Sequence, residues 1–239
     1  MDLSDPTRAV TPTLDGTVLA VLAAAGKPLT VGQVARQAAR GSEIGIRRSL
    51  ARLVEQGIVR ATLMGRNQVH ELNRDHLAAG IAEALAGLRN ELWSRLRADL
   101  ARWRIPPLYA CAFGSAARGD GDASSDIDLL LVHPPFPGEK KPPRLSSGVL
   151  SALVEAVGEA WVASPEPDAA ERWQRHVDEL RQRVHRWTGN QLQVVDLSFY
   201  EWRQPPKAHE PLLADVRRDG IELVRPPMLL SRPSAAPDG

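Results

Sequence analysis

Apolar residues near the start of the chain recur every three or four positions along three successive segments. This spacing predicts three helices, since one side of a helix repeats about every 3.6 residues: the first lies within 13–30 and is ended by Gly26 and Pro28, and the others cover 31–40 and 41–57. The third segment ends at Gly57, where a helix C-cap glycine belongs. Its apolar stripe consists of Ile46, Leu50, Leu53 and Val54.

The next residues change from helical spacing to alternation and then back to helical spacing. Residues 58–72 contain two strand-like runs around a turn at 65–67, which predicts a β-hairpin. One long helix is predicted over 74–103, with a narrow stripe that suits either a connecting helix or a homodimer seam. Packing within one chain explains that stripe at least as well. The polar residues 1–10 predict a disordered tail.

Strand-like and helical segments alternate in the rest of the chain. A loop rich in proline and lysine is predicted at 133–148 and a disordered tail at 226–239. The predicted strands are "LYACAF", "IDLLLV" and "QLQVVDLSF". The predicted helices are "VLSALVEAVGEAWVA", "AAERWQRHVDELRQRVHRW" and the first part of "HEPLLADVRRDGIELV", which ends in a short strand.

Composition narrows the class of protein. The 239 residues are 43% hydrophobic and 25% charged, as in a soluble globular protein, and no apolar run is long enough to span a bilayer. Cys111 is the single cysteine, so an internal disulfide is excluded and a reducing cytoplasm is expected. The net charge is +1, and any signal for nucleic-acid binding must therefore come from local charge.

Positive charge is concentrated in the first predicted domain. Residues 31–66 hold seven arginines against two glutamates, a net charge of +5. Arg47, Arg48 and Arg52 lie off the apolar stripe of the third helix, and Arg66 lies at the tip of the hairpin. Arginines placed in this way can contact the phosphates and base edges of duplex DNA.

Three helices followed by a hairpin resemble a winged helix-turn-helix domain, here over 11–73, and "LARLVEQGIVRA" resembles the end of its recognition helix and the start of its wing. The resemblance implies a DNA-binding domain, followed by the linker helix over 74–103. The arginines could instead solubilise a helix face, and winged helices also bind proteins or RNA.

Two aspartates open the second predicted strand of the C-terminal domain. Asp126 and Asp128 are two positions apart, so their carboxylates share one face of a strand that is otherwise apolar. Two like charges at such a place need a partner, and Mg²⁺ is a natural one. A calcium loop starting at Asp120 would need glycine and glutamate where Ser125 and Leu131 stand, so that hypothesis is set aside.

A glycine–serine pair follows the preceding strand. Gly114 allows the backbone to approach a ligand, Ser115 offers a hydroxyl group, and Arg118 lies one turn further on. These groups suit a phosphate. The acidic residues Asp120 and Asp122 between the two halves are expected to be turn residues.

The segment "GSAARG" followed by "SDIDLLLV" resembles the signature of the DNA polymerase beta superfamily, and most of all its minimal nucleotidyltransferases. The resemblance covers roughly 104–225 and implies a C-terminal domain of that extent in an α+β protein, with a mixed sheet and helices on one side. It also implies a third carboxylate on a neighbouring strand, and Asp196 in "QLQVVDLSF" is the expected one.

The resemblance assigns roles to these residues. Asp126, Asp128 and Asp196 would be catalytic and would hold two Mg²⁺ ions, for which Mn²⁺ can substitute, and Asp196 would be the general base. The donor would be ATP or another nucleoside triphosphate. The residues expected to bind it are Gly114, Ser115, Arg118 and Ser125, and Lys140 and Lys141 could also reach a phosphate.

Two functions remain open from the sequence. The first is an enzyme that transfers a nucleoside monophosphate, AMP above all, to a hydroxyl group of a protein, an RNA end or a small molecule. The second is a DNA-binding regulator or antitoxin-like protein whose nucleotidyltransferase-like domain only binds a nucleotide or a partner. The presence of three carboxylates favours the enzyme, and the winged helix favours the regulator.

Overall fold

The computed structural model describes residues 1–139, 147–158, 166–205 and 207–225. Two compact units are present. The first comprises Met1–Leu92 with Asp122–Ser124, and the second comprises Trp93–Gly121 and the chain from Ser125 onward. Among the described residues, no helix combines the length and apolar content needed to cross a membrane. Lys140, Lys141, the end of the helix predicted over 149–163 and the tail 226–239 lie outside the described residues.

The first unit contains the three predicted helices, α1 (Leu14–Ala24), α2 (Val31–Gln37) and α3 (Glu43–Glu55). Thr30 and Gln33 form a reciprocal capping box at the start of α2, which satisfies two backbone amides that a helix leaves free. The predicted stripe of α3 faces the core of the unit. That core includes Val18, Leu22, Val34, Ile46, Leu50 and Leu53.

The hairpin consists of β2 (Val59–Met64) and β3 (Asn67–Leu72), and Met64 pairs with Asn67. The two-residue turn between them is Gly65-Arg66, with Gly65 in the left-handed region at φ 63°. A short strand β1 (Leu29–Thr30) adds to β3, so the antiparallel order is β1-β3-β2. The sequence missed β1 because two residues show no periodicity. The elements thus follow the predicted order, while the winged-helix assignment itself stays a prediction.

The prediction of a disordered tail at 1–10 was wrong. Leu3 is fully buried, and Pro6–Ala9 form a turn of 3-10 helix. Asp5 is only 4% exposed, because its carboxylate accepts hydrogen bonds from Thr17 Oγ1 at 2.6 Å and from Arg40 Nε at 2.7 Å. These polar residues looked solvated in the sequence, but they satisfy one another inside the unit.

The long helix α4 runs over Ala79–Leu100, shorter at both ends than the predicted 74–103. It starts late because the chain before it is tied to the end of α3, where the Asn73 side chain donates to the Gly57 carbonyl at 2.9 Å. Leu77 precedes the helix and is fully exposed, and Ile81 is 63% exposed. Only the later part of the stripe is buried, at Leu85, Leu92, Leu96 and Leu100. A homodimer stays a prediction.

The second unit is built on a mixed four-stranded sheet, as predicted. Its strands are β4 (Tyr109–Phe113), β5 (Ile127–His133), β6 (Leu192–Ser198) and β7 (Ile221–Val224), in the order β6-β5-β4-β7. β5 and β6 are parallel, and the other neighbours are antiparallel. A short helix, α5 (Gly114–Arg118), separates β4 from β5.

Helices cover both faces of this sheet rather than the one face that the resemblance implies. Leu130 and Val132 belong to one core with α6 (Ser147–Val157), α8 (Phe199–Arg203) and α9 (Glu210–Asp219). The opposite face meets α7 (Ala169–Thr188), whose Trp173 donates its indole N–H to Asp196 Oδ2 at 2.8 Å. This second face carries the apolar side chains of Ile127, Leu129 and Leu131 on β5, and all three are fully buried beneath the cover.

Candidate functional site

The predicted glycine–serine pair forms the tight turn by which β4 passes into the first residues of α5. Gly114 has a φ of 71°, the left-handed conformation that side chains rarely adopt. A Cβ atom at this position would collide with the carboxylate of Asp128. The turn therefore lies directly against that carboxylate, and glycine is needed there for both its conformation and its size.

The loop after α5 is folded back onto Ser115. The backbone amides of Gly119, Asp120 and Gly121 donate to the Ser115 carbonyl at 2.9, 3.1 and 3.3 Å. Gly121 is buried, and a Cβ atom there would lie 3.0 Å from Ser115 Oγ and 3.3 Å from Ser125 Cβ. This close packing brings the two predicted phosphate-binding serines, Ser115 and Ser125, to the same turn.

The two acidic residues of that loop behave as turn residues. Asp122 is exposed, and its carboxylate accepts from the backbone amide and the hydroxyl group of Ser124, both at 2.8 Å. Asp120 is exposed and pairs with Arg118 at 3.0 Å. Both of these contacts are local, as expected of turn residues.

Asp126 and Asp128 are both half-buried at the start of β5. They lie two positions apart, so they share one face of the strand. Asp128 lies opposite Phe113 of β4, and no hydrogen-bond donor reaches its carboxylate from the described residues. Burial and the charge of Asp126 raise the pKa of Asp128, and the charge of Arg118 opposes this rise. Two unneutralised carboxylates of this kind fit a divalent cation.

Arg118 is near the carboxylates but is engaged with other acids. Its Nε atom lies 3.0 Å from Asp120, and its guanidinium group lies 3.8 Å from Asp219 at the end of α9. The side chain is 38% exposed. A phosphate would have to compete with these two carboxylates for Arg118, so its contribution to binding is long-range charge more than a preformed contact.

Asp196 does not join Asp126 and Asp128, which corrects the sequence prediction. In the parallel pair of β5 and β6, Asp128 lies beside Gln193 and Leu131 lies beside Asp196. Neighbours in register point to the same face of a sheet, and residues three apart point to opposite faces. Asp196 therefore faces Trp173 of α7, and Gln193 faces the carboxylate pair.

Gln193 is the residue of β6 that contacts the carboxylate pair. Its Nε2 atom donates to Asp126 Oδ2 at 3.3 Å. Nowhere in the described part of the chain do three or more histidine, cysteine, aspartate or glutamate side chains come together in a way that could hold a metal ion. The residues present thus fit one divalent cation on two carboxylates but not the predicted set of three.

Asn190 positions the segment that leads into the carboxylate pair, and sequence reasoning missed this role. It is 3% exposed, and its Nδ2 atom donates to the Ser125 carbonyl at 2.9 Å. Gly189, with a φ of 77°, ends α7 just before it. The Gly-Asn pair after a helix was visible in the sequence as a helix stop, but its contact with residue 125 depends on the tertiary fold.

The predicted DNA-binding arginines of the first unit divide into two kinds. Arg52 donates to Asp15 at 2.5 Å, and Arg47 pairs with Glu43 at 3.1 Å. Arg48 and Arg66 are exposed and have no partner within the described ranges. Residues 1–92 hold eleven lysines and arginines against nine aspartates and glutamates, so the net +5 of residues 31–66 is largely offset by acids elsewhere in the same unit.

Comparison with known proteins bears on the second unit. No curated protein matches the chain. A family model described as a nucleotidyltransferase domain matches residues 95–193. The match includes Gly114, Ser115, Asp126 and Asp128 and ends at Gln193. It supports the predicted relation to polymerase-beta-like nucleotidyltransferases over this part of the chain.

Proposed function

We propose that this protein transfers a nucleoside monophosphate from a nucleoside triphosphate, with ATP as the expected donor, to an acceptor hydroxyl group. The observation that carries the proposal is the contact between the Gly114 turn and Asp128, in a segment that matches a nucleotidyltransferase domain. A phosphate-binding turn and a cation-binding carboxylate pair in direct contact are what a metal-bound triphosphate requires.

The residues of the Gly114 turn and those of β5 would have different roles in the reaction. Asp126 and Asp128 would hold Mg²⁺ or Mn²⁺ on the triphosphate, and this cation would neutralise charge on the phosphate oxygens. Ser115 and Ser125, which pack around Gly121, would donate hydrogen bonds from their hydroxyl groups to the leaving pyrophosphate. The acceptor oxygen would attack the α-phosphorus in line as the bond to the β-phosphate oxygen breaks, with positioning and charge neutralisation as the main sources of acceleration.

The experiment is the transfer of label from α-³²P-ATP, and from the other three triphosphates, in whole-cell extract. We expect wild-type protein with Mg²⁺ to label one class of acceptor, and the position of the label on a gel separates protein, RNA and small molecules. The variant Asp126→Asn/Asp128→Asn should transfer no label. Asp122→Asn is the matched control, since it removes a charge from the same loop at an exposed turn residue. Absence of label with all four triphosphates would contradict transfer.

A second function is favoured by one observation: a neutral amide, Gln193, stands beside Asp128 where a third carboxylate would serve as a base. On this alternative the domain binds a metal–nucleotide complex without turnover, and the first unit binds duplex DNA in a nucleotide-dependent way. Binding of a nucleotide without any transfer of label, together with a nucleotide-dependent shift of the DNA upstream of the coding sequence, would favour this alternative. The cytoplasm is the expected location for either function.

A further inference from the structure

Gln193 is the side chain of β6 that meets the carboxylate pair. Its position follows from the register, which places it beside Asp128 in the parallel pair of strands. Its amide N–H group is directed at Asp126 Oδ2, at 3.3 Å. Gln193 is exposed, so a ligand that approaches the carboxylates from the solvent would pass beside it.

The chemistry of an amide differs from that of a carboxylate in two ways at this place. An amide carries no charge, so the site has the two negative charges of Asp126 and Asp128 and not three. An amide also cannot accept a proton at neutral pH, and here its donor side engages Asp126. A second divalent cation beside the first needs an additional anionic ligand to offset the repulsion between the two ions.

We infer that Gln193 is a positioning residue that orients Asp126 and limits the site to a single divalent cation, an inference that rests on the proposed function. The cation bound with the triphosphate is then the only one that the protein holds among its described residues, and Arg118 supplies further fixed positive charge near Asp128. A proton that leaves an acceptor hydroxyl group must pass to a group other than the side chain at position 193.

The number of bound cations tests this inference without any measurement of activity. The probe is Mn²⁺ with α,β-methylene-ATP, a triphosphate analogue that cannot release pyrophosphate. We expect equilibrium dialysis to give one bound Mn²⁺ per wild-type chain and electron paramagnetic resonance to show an isolated ion. Gln193→Glu has the same shape as glutamine and adds a charge, and it should bind two ions whose spectrum shows coupling at a separation of about 4 Å.

The control variant is Gln68→Glu, which adds the same charge at an exposed position of β3. It should bind one ion, like the wild type. A second measurement detects the added charge directly. Without metal, Gln193→Glu should lower the melting temperature by about 2–4 °C through repulsion with the aspartates, and Mn²⁺ should restore it. Gln68→Glu should show neither effect.

The outcomes separate this inference from the proposed function. Two coupled Mn²⁺ ions in the wild type, or one ion in the folded Gln193→Glu variant, would overturn the limit that we assign to Gln193. A count of zero, with neither Mn²⁺ nor the analogue bound by the wild type, would overturn the proposed function and the inference together. Because the counts are two and zero, the two failures cannot be confused.

Discussion

Asp128 and Asp196 lie on neighbouring strands of one sheet, and the sequence predicted the same role for both. Desolvation raises the pKa of each carboxyl group, but the groups that oppose the rise differ. At Asp196 the nearby Glu201 adds to the rise, but His133 and the indole N–H of Trp173, which the carboxylate accepts at 2.8 Å, oppose it. At Asp128 the like charge of Asp126 adds to the rise and the charge of Arg118 opposes it, but among the described residues no hydrogen-bond donor reaches the carboxylate.

The comparison separates a carboxylate that is satisfied within the fold from one that needs a ligand. A hydrogen-bonded carboxylate against a helix stabilises the packing of that helix. A desolvated carboxylate next to another one is unfavourable in the free protein and becomes favourable when a cation binds. The difference teaches that the partners of a charged side chain, and not its residue type, indicate which aspartate belongs to the site.

The prediction with the largest expected effect tests this distinction. Asp128→Asn should weaken Mn²⁺ binding with α,β-methylene-ATP by about 100-fold, because it removes half of the charge that holds the ion. Asp196→Asn should change the same affinity by less than about threefold, since its amide oxygen can still accept from Trp173. Electron paramagnetic resonance titration measures both. Equal losses for the two variants would show that Asp196 belongs to the cation site after all.

Much of this distinction lay beyond the sequence for a physical reason. Periodicity correctly predicted β5 and β6 and placed Asp126 and Asp128 on one face, because that is a property of a single strand. The register between the two strands is a property of their pairing and not of either strand alone, and a shift by one residue reverses every side chain. The sequence therefore pointed to Asp196 alone, and only the register shows that Gln193 is the residue beside Asp128.

The N-terminal residues show the same limit for charged groups. Asp5 and Arg40 are separated by 35 residues, and nothing in either local pattern links them. The elements themselves were well predicted, since the third helix and the hairpin depend on local spacing. Partners distant in the sequence decided which polar segments are solvated, and so residues 1–10 were assigned to a tail by mistake.

Gly114 gives the next largest effect and tests how closely the turn meets Asp128. Gly114→Ala should destabilise the protein by about 2–3 kcal/mol, because it adds a left-handed alanine and a collision with the carboxylate. Gly138→Ala is the control. It has a φ of 84°, but no atom of the residues that the structure describes lies within 4 Å of an added Cβ, so about 1 kcal/mol is expected. Urea unfolding measures both, and equal losses would rule out the contact.

A smaller effect concerns the metal-free state. The folded pKa of Asp128 lies above the ordinary value of 3.8, so the folded protein binds this proton more tightly than the unfolded chain does. In EDTA at about pH 7 the charged carboxyl group is therefore unfavourable, and Asp128→Asn should raise the free energy of unfolding by on the order of 1 kcal/mol.

The stability advantage of Asp128→Asn should depend on pH. As the pH falls from about 7 through the raised pKa, the wild type takes up the proton and the advantage of Asp128→Asn should shrink. Saturating Mg²⁺ with a nucleotide should remove the advantage at pH 7, because the ligand stabilises only the wild type. Unfolding by urea at several pH values measures this. A variant less stable than the wild type in EDTA would contradict the unsatisfied state of Asp128.

The smallest effect extends the comparison from carboxylates to arginines. Arg52 is paired with Asp15 inside the first unit, whereas Arg48 and Arg66 are exposed and, within the described ranges, have no partner. If the first unit binds duplex DNA, Arg48→Ala/Arg66→Ala should weaken binding several-fold and reduce the dependence of the logarithm of affinity on that of salt by about two. Arg52→Ala should change the salt dependence by less than one, since its charge is already neutralised by an aspartate. Fluorescence anisotropy between about 50 and 200 mM salt measures the slopes. A larger change for Arg52→Ala would mean that the Asp15 pair opens when DNA binds, and a partner within the fold would then be no guide to which arginines bind a ligand.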